Sequence, residues 1–233
     1  MTDLTSFDGY PREGLEFLTE LAENNDRDWF KERKAVFEEH VQKPTQAFVV
    51  ALGQRLQVIS SGISYDTRLV GGSIMRIYRD VRFSKDKTPY HTKVRLVFWE
   101  GPSRKAMHSG FHVRIDPSGA GVFVGHWELD KSLLARFRDA VVDDIMGAEL
   151  QAAIEAVRQS GDYTVGGEHY KRVPLGYDKE HPRAGLLLHK GLWAHTESVA
   201  PSYLTTPELA DVCFEHCRNM APIHHWLMKL AKS

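Results

Sequence analysis

Arg76, Arg79, Arg82, Lys85, Lys87, Lys93 and Arg95 fall within twenty residues that hold two carboxylates, Asp80 and Asp86. The segment carries a local charge of +5 in a chain whose formal net charge is −1, so the other 213 residues sum to −6. A cationic turn on a slightly acidic body concentrates field and attracts anions. Arginine adds a planar fork that matches phosphate or carboxylate oxygens two at a time. On these grounds Arg76, Arg79, Arg82, Lys85 and Lys87 are expected to hold an anion, with Ser84 as a neutral donor. Asp80, Tyr90 and His91 are the acid–base candidates should a reaction occur there. The expected ligand is a phosphorylated small molecule or a nucleotide.

Two other readings suit the same residues. The basic loop would serve a non-enzymatic interaction module by docking an acidic protein or a nucleic-acid backbone. Alternatively, it is a brace in which arginines and aspartates neutralise one another, as most charge runs do. A phosphate-tracking surface should extend beyond one loop. Basic residues elsewhere alternate with acids, so nucleic acid is not favoured.

The elements that must position this segment follow from periodicity. "PREGLEFLTELAENN" sets Leu15, Leu18, Leu21 and Ala22 on one helical face, and Asn24-Asn25-Asp26 ends it. "DRDWFKERKAVFEEHVQK" reads as a second helix and "TQAFVVALGQRLQVI", from Pro44, as a third. "SIMRIY", "KVRLVFWE", "GFHVRID" and "GVFVGHW" read as strands, the last two joined by a tight turn at "PSGA". Between the first two strands, "RDVRFSKDKTPYHT" is far longer than a hairpin needs, and loops of that length are commonly functional. "DKSLLARFRDAVVDDI" and "AELQAAIEAVRQS" are helical, Gly161 to Pro182 is irregular, and "AGLLLHKGLWAHTES" adds one or two strands. The last helix is expected to break at Pro222. The expected fold is a single α+β domain over residues 1–233. Its mostly antiparallel sheet, of about four to six strands, is flanked by N-terminal and C-terminal helices.

Several function classes are excluded or disfavoured. "SKDK" lacks the partner motifs of penicillin-binding enzymes, and neither a phosphate loop nor a dinucleotide fingerprint occurs, so no cofactor is indicated. The histidines and cysteines, including His108, His112, His126 and the "CFEHC" stretch, match no paired metal-ligand spacing, and no metal is expected. Cys213 and Cys217, four apart on a helical stretch, make an awkward bridge and predict a reducing compartment. No apolar run approaches the roughly 20 residues of a membrane span, and "MTDLTSFDGYPREG" has no leader pattern. A cytoplasmic protein without a membrane partner is expected.

"RIYRDVRFSKDKTPYHT" resembles the signature of a bacterial and fungal family catalogued as domain of unknown function 2461. "FLTELAENNDRDWF", residues 17 to 30, is similar to its N-terminal element. Pro174, Gly176, Tyr177, Asp178, His181 and Pro182, ahead of "LLLHK", are similar to a later one. One departure is His91, where lysine is expected in many relatives. The resemblance covers nearly the whole chain and implies that the three segments meet in space. Asn25 and Arg27 would then supply a helix start, whose free amides favour anions. Tyr177 and His181, in a loop, and Lys190, after an apolar run, would complete the set of ligand-binding candidates.

Overall fold

The structure is a computed structural model, and it describes residues 6–103 and 108–233. The first five residues of the stretch read for a leader lie outside the described residues. Among the described residues, no helix is long and apolar enough to cross a membrane.

The fold is α+β, with helices before and after a five-stranded antiparallel sheet. Helices α1 (Arg12–Glu23), α2 (Arg27–Glu32), α3 (Lys34–Phe37) and α4 (Lys43–Ile59) come first. Strands β1 (Val94–Glu100), β2 (Ser109–Asp116) and β3 (Gly119–His126) follow, then α5 (Lys131–Val142), α6 (Asp144–Gln159) and β4 (Thr164–Glu168). Strand β5 (His189–Val199) and helix α7 (Leu209–Lys232) end the chain. The sheet order is β1-β2-β3-β5-β4. The chain forms two compact units. The first holds residues up to Phe98 with His112–Val122 and Glu197–Glu215; the second holds Trp99–Phe111, Phe123–Thr196 and His216–Ser233.

In the first unit an aromatic cluster organises the N-terminal helices. The Phe17 ring lies 5.9 Å from Phe30 and 5.7 Å from Phe37, and Phe30 stacks on Tyr90 at 4.1 Å with the planes 14° apart. Buried aromatic pairs of this kind contribute beyond the area they remove from water. The second expected helix is not continuous. It divides into α2 and α3 and then widens into a π-helical turn over Glu38–Gln42, where the Lys43 N–H donates to the Glu38 carbonyl. Pro44 supplies the reason. It has no N–H for the His40 carbonyl four residues back, and its ring would clash with that carbonyl in a regular helix. The chain widens there and continues into α4. The displaced His40 carbonyl packs on Gly14 of α1, where a Cβ would lie 2.1 Å from the oxygen. Thr45 secures the turn by donating to the Val41 carbonyl at 2.6 Å, and its oxygen also bonds the Tyr10 hydroxyl at 3.1 Å.

"SIMRIY" is not a full strand. Only isolated bridges form, Ile74 with Leu96 and Tyr78 with Tyr90. Between them the Arg76 carbonyl accepts from the Arg95 guanidinium at 3.2 Å, so a side chain takes the place of a ladder amide.

In the second unit the irregular stretch contains β4. It pairs with β5 through Thr164–His195 and Gly166–Trp193, with a bulge before Glu168. Its pair of glycines hid it, since glycine weakens a strand pattern. Helix α7 runs unbroken through Pro222. Met220, Ile223, His224 and Leu227 are all fully buried around the proline, and that burial offsets a helix-interior cost of about 3 kcal/mol. Cys213 and Cys217 are both buried, and no disulfide joins them. Burial pushes the Cys213 thiol up to about 12, which removes it as a nucleophile.

Candidate functional site

The basic segment hangs between two fixed points. At one end the Met75 N–H donates to the Arg95 carbonyl at 2.9 Å; at the other the Arg79 N–H donates to Pro89 at 2.8 Å and the His91 N–H to Ile77 at 2.7 Å. Asn25 clasps the second point. Its amide donates to the Tyr90 carbonyl at 2.9 Å and its oxygen accepts from the Tyr90 N–H at 3.0 Å. The segments around Asn25 and around Tyr90 therefore do meet. Two of the free amides expected at the start of α2 are taken, because the Asp26 carboxylate accepts from the Asp28 and Trp29 N–H groups at 3.0 Å each. Arg27 is exposed beside this cap.

Two of the three arginines hold the loop's own aspartates. Arg79, with 21% of its side chain exposed, donates to Asp86 at 2.6 Å and to the Thr88 carbonyl at 3.1 Å. The Asp86 carboxyl is held down to about 2, first by the Thr88 N–H and then by Arg79. Arg82 forks onto Asp80 at 2.9 and 2.7 Å, and this hydrogen bonding holds the Asp80 carboxyl down to about 2. Lys87 donates to the Val81 carbonyl at 2.9 Å, Ser84 sits in the turn through its N–H on Val81, and Lys85 is exposed. Arg79→Ala is expected to lower the urea midpoint clearly, since it strips a half-buried carbonyl of its donor. Arg82→Ala should leave that midpoint nearly unchanged, because exposed pairs contribute little. Equal effects would contradict this ranking.

Of the acid–base candidates, Asp80 is a weak base because Arg82 stabilises its ionised form. Burial raises Tyr90 above its ordinary value, so it stays protonated at neutral pH. His91 is pulled down to about 4, first by burial and then by Arg95, Arg79 and Lys93, so its ring is neutral at pH 7.

Arg76 differs from its neighbours. Among the described residues no carboxylate pairs with it or with Lys93. Both line a cleft of about 490 Å³, within the size range of small-molecule sites. Leu18, Phe37 and Val41 line it from the helices, and Ile74, Met75 and Tyr78 from the broken strand. Lys34 and Glu38, paired at 3.2 Å, also reach it. The sequence reading missed the cleft's exposed apolar lining, Leu69, Val70 and Met75, and did not place Lys93 in the site. An apolar Leu-Val pair inside a Gly- and Ser-rich loop was the available signal.

Tyr177, His181 and Lys190 belong to the second unit, and each is bonded within it. The Tyr177 hydroxyl donates to Asp139 at 2.7 Å, His181 Nδ1 accepts from the Arg183 N–H at 3.1 Å, and Lys190 pairs with Glu128 at 2.7 Å. Among the described residues no three His, Cys, Asp or Glu side chains converge to hold a metal ion.

No curated protein and no solved structure gives a significant match to the chain. A family model described as a conserved hypothetical protein, DUF2461, matches residues 13–226. The chain belongs to that family.

Proposed function

We propose that the protein binds a phosphate-bearing small molecule in the cleft beside the basic segment, with Arg76 and Lys93 holding the anion. One observation carries this reading: these two cations lack a carboxylate partner among the described residues and stand on the wall of a ligand-sized cavity. An unpaired guanidinium next to a concave surface is the arrangement that charge-assisted capture of a phosphate needs. Arg79 and Arg82 act differently. Their geometry favours the brace, which keeps the loop's shape so that Arg76 is presented at one end. Nothing in the acid–base groups pairs a nucleophile with a base, so the reading is one of binding.

Phenyl phosphate titrated by calorimetry tests it. Arg76→Gln is expected to weaken binding about tenfold, the loss of one charge-assisted contact, and Lys93→Gln to weaken it less. Affinity should fall as salt rises, since both cations are exposed. Unchanged affinity in Arg76→Gln would overturn the proposal.

A further inference from the structure

The cleft that would hold the anion is apolar below its mouth. Among the described residues, eleven large hydrophobic side chains are exposed. Four of them, Leu69 (42%), Val70 (66%), Met75 (40%) and Tyr78 (59%), line this one cavity. Clustered exposed hydrophobics mark a binding surface, whereas single ones need no explanation. The floor, including Leu18, Phe30 and Val41, is buried and apolar.

The polar atom at that floor is already satisfied. Thr45 Oγ1 donates to the Val41 carbonyl and bonds the Tyr10 hydroxyl, so apolar matter laid against it strands no hydrogen-bonding group. A sugar or nucleobase would need partners for several edge groups, whereas the uncharged polar side chains of the lining are the Gln42 amide, the Tyr78 hydroxyl and the already bonded Thr45. At the mouth, cations stand beside the four exposed hydrophobic side chains. Lys34, Arg76 and Lys93 face one carboxylate, Glu38. A cationic rim over an apolar, half-enclosed bed complements a molecule with a charged head and a hydrocarbon body. The wall's two irregular elements point the same way. The π-helical turn contributes Glu38, Val41 and Gln42, and the broken strand contributes Ile74 to Tyr78. Helical turns of this wide kind are frequent at functional sites.

We infer that the ligand is a soluble single-chain amphiphile, an alkyl or aryl phosphate. Its phosphate bonds Arg76 and Lys93, and its apolar body lies between the α3–α4 wall and the Ile74–Tyr78 segment. This rests on the anion-binding reading above and narrows it to one chemical class.

Alkyl phosphates from butyl to octyl, titrated below their micelle concentrations alongside inorganic phosphate and octanol, test the inference. Affinity is expected to rise about fourfold per methylene, the gain from burying each group, until the cleft is full. Val70→Asp, a change at an exposed position, should flatten that slope. Arg76→Gln should weaken every phosphate by a similar factor. Phosphates of all lengths binding equally, still sensitive to Arg76→Gln, would overturn the amphiphile while leaving the anion site standing. Octanol binding as tightly as octyl phosphate, or phosphate binding indifferent to Arg76→Gln, would overturn both.

Discussion

Asn25→Ala should destabilise the protein by about 2–4 kcal/mol, because two hydrogen bonds are lost and two backbone groups are left without partners. The side chain makes both bonds to Tyr90, one through its amide and one through its oxygen. Tyr90 is buried, and its ring stacks on Phe30, so solvent reaches the stranded N–H and carbonyl poorly. The consequence extends to the cleft, since Phe30 and Tyr78, which flank Tyr90, both line it. Asn25→Asp separates the two bonds. It keeps an acceptor for the Tyr90 N–H but sets a carboxylate against the Tyr90 carbonyl, so its cost should be comparable. Urea denaturation checks both variants. A residue whose only business was a ligand would leave stability intact when replaced, and that outcome would refute the clasp.

Acid should destabilise the protein from about pH 6.5 downward, well before its carboxylates titrate. His224 is fully buried on α7 and its Nε2 lies 3.0 Å from Glu100 Oε2. Burial pulls its pKa down to about 4, while the Glu100 bond works in the opposite direction. An unfolded histidine titrates near 6.5. Between those values the unfolded chain takes up a proton that the fold refuses. The contribution is therefore complete above about pH 6.5 and is lost as pH falls toward 4, with an upper size of about 3 kcal/mol. His91 shifts the same way and adds to the slope. His224→Phe should reduce the slope and also cost about 2–4 kcal/mol at pH 7.5, since Glu100 loses its donor. Stability measured by urea at half-unit pH intervals decides this. A wild-type profile flat from pH 7 to 5 would remove His224 as the cause.

Legibility differed by the range of the interaction involved. Helices α1, α5 and α6 and strands β1 to β3 depend on periodicity and caps within a dozen residues, and the sequence displays both. Strand β4 carries two glycines, and only its pairing with β5 makes it a strand. Pro44 and Pro222 read as a start and a break because local sterics say so. In the fold, a widened turn absorbs the first and buried packing absorbs the second. At the site, the charge excess of Arg76 to Arg95 was visible as composition. Its division into tied and untied cations was not, because Arg79 reaches Asp86 and Arg82 reaches Asp80 only through the shape of the turn. The cleft was least visible of all. Its walls come from residues as far apart as Leu18 and Val94, and no local pattern encodes that approach.

The two cysteines lie four residues apart on one helix, yet Cys213 falls in the first unit and Cys217 in the second. Neither thiol is accessible in the native fold, so each can be alkylated only when its own surroundings open. The chain thus carries a matched pair of native reporters. Equal labelling rates would mean that both halves open as one cooperative body, and unequal rates would name the half that yields first.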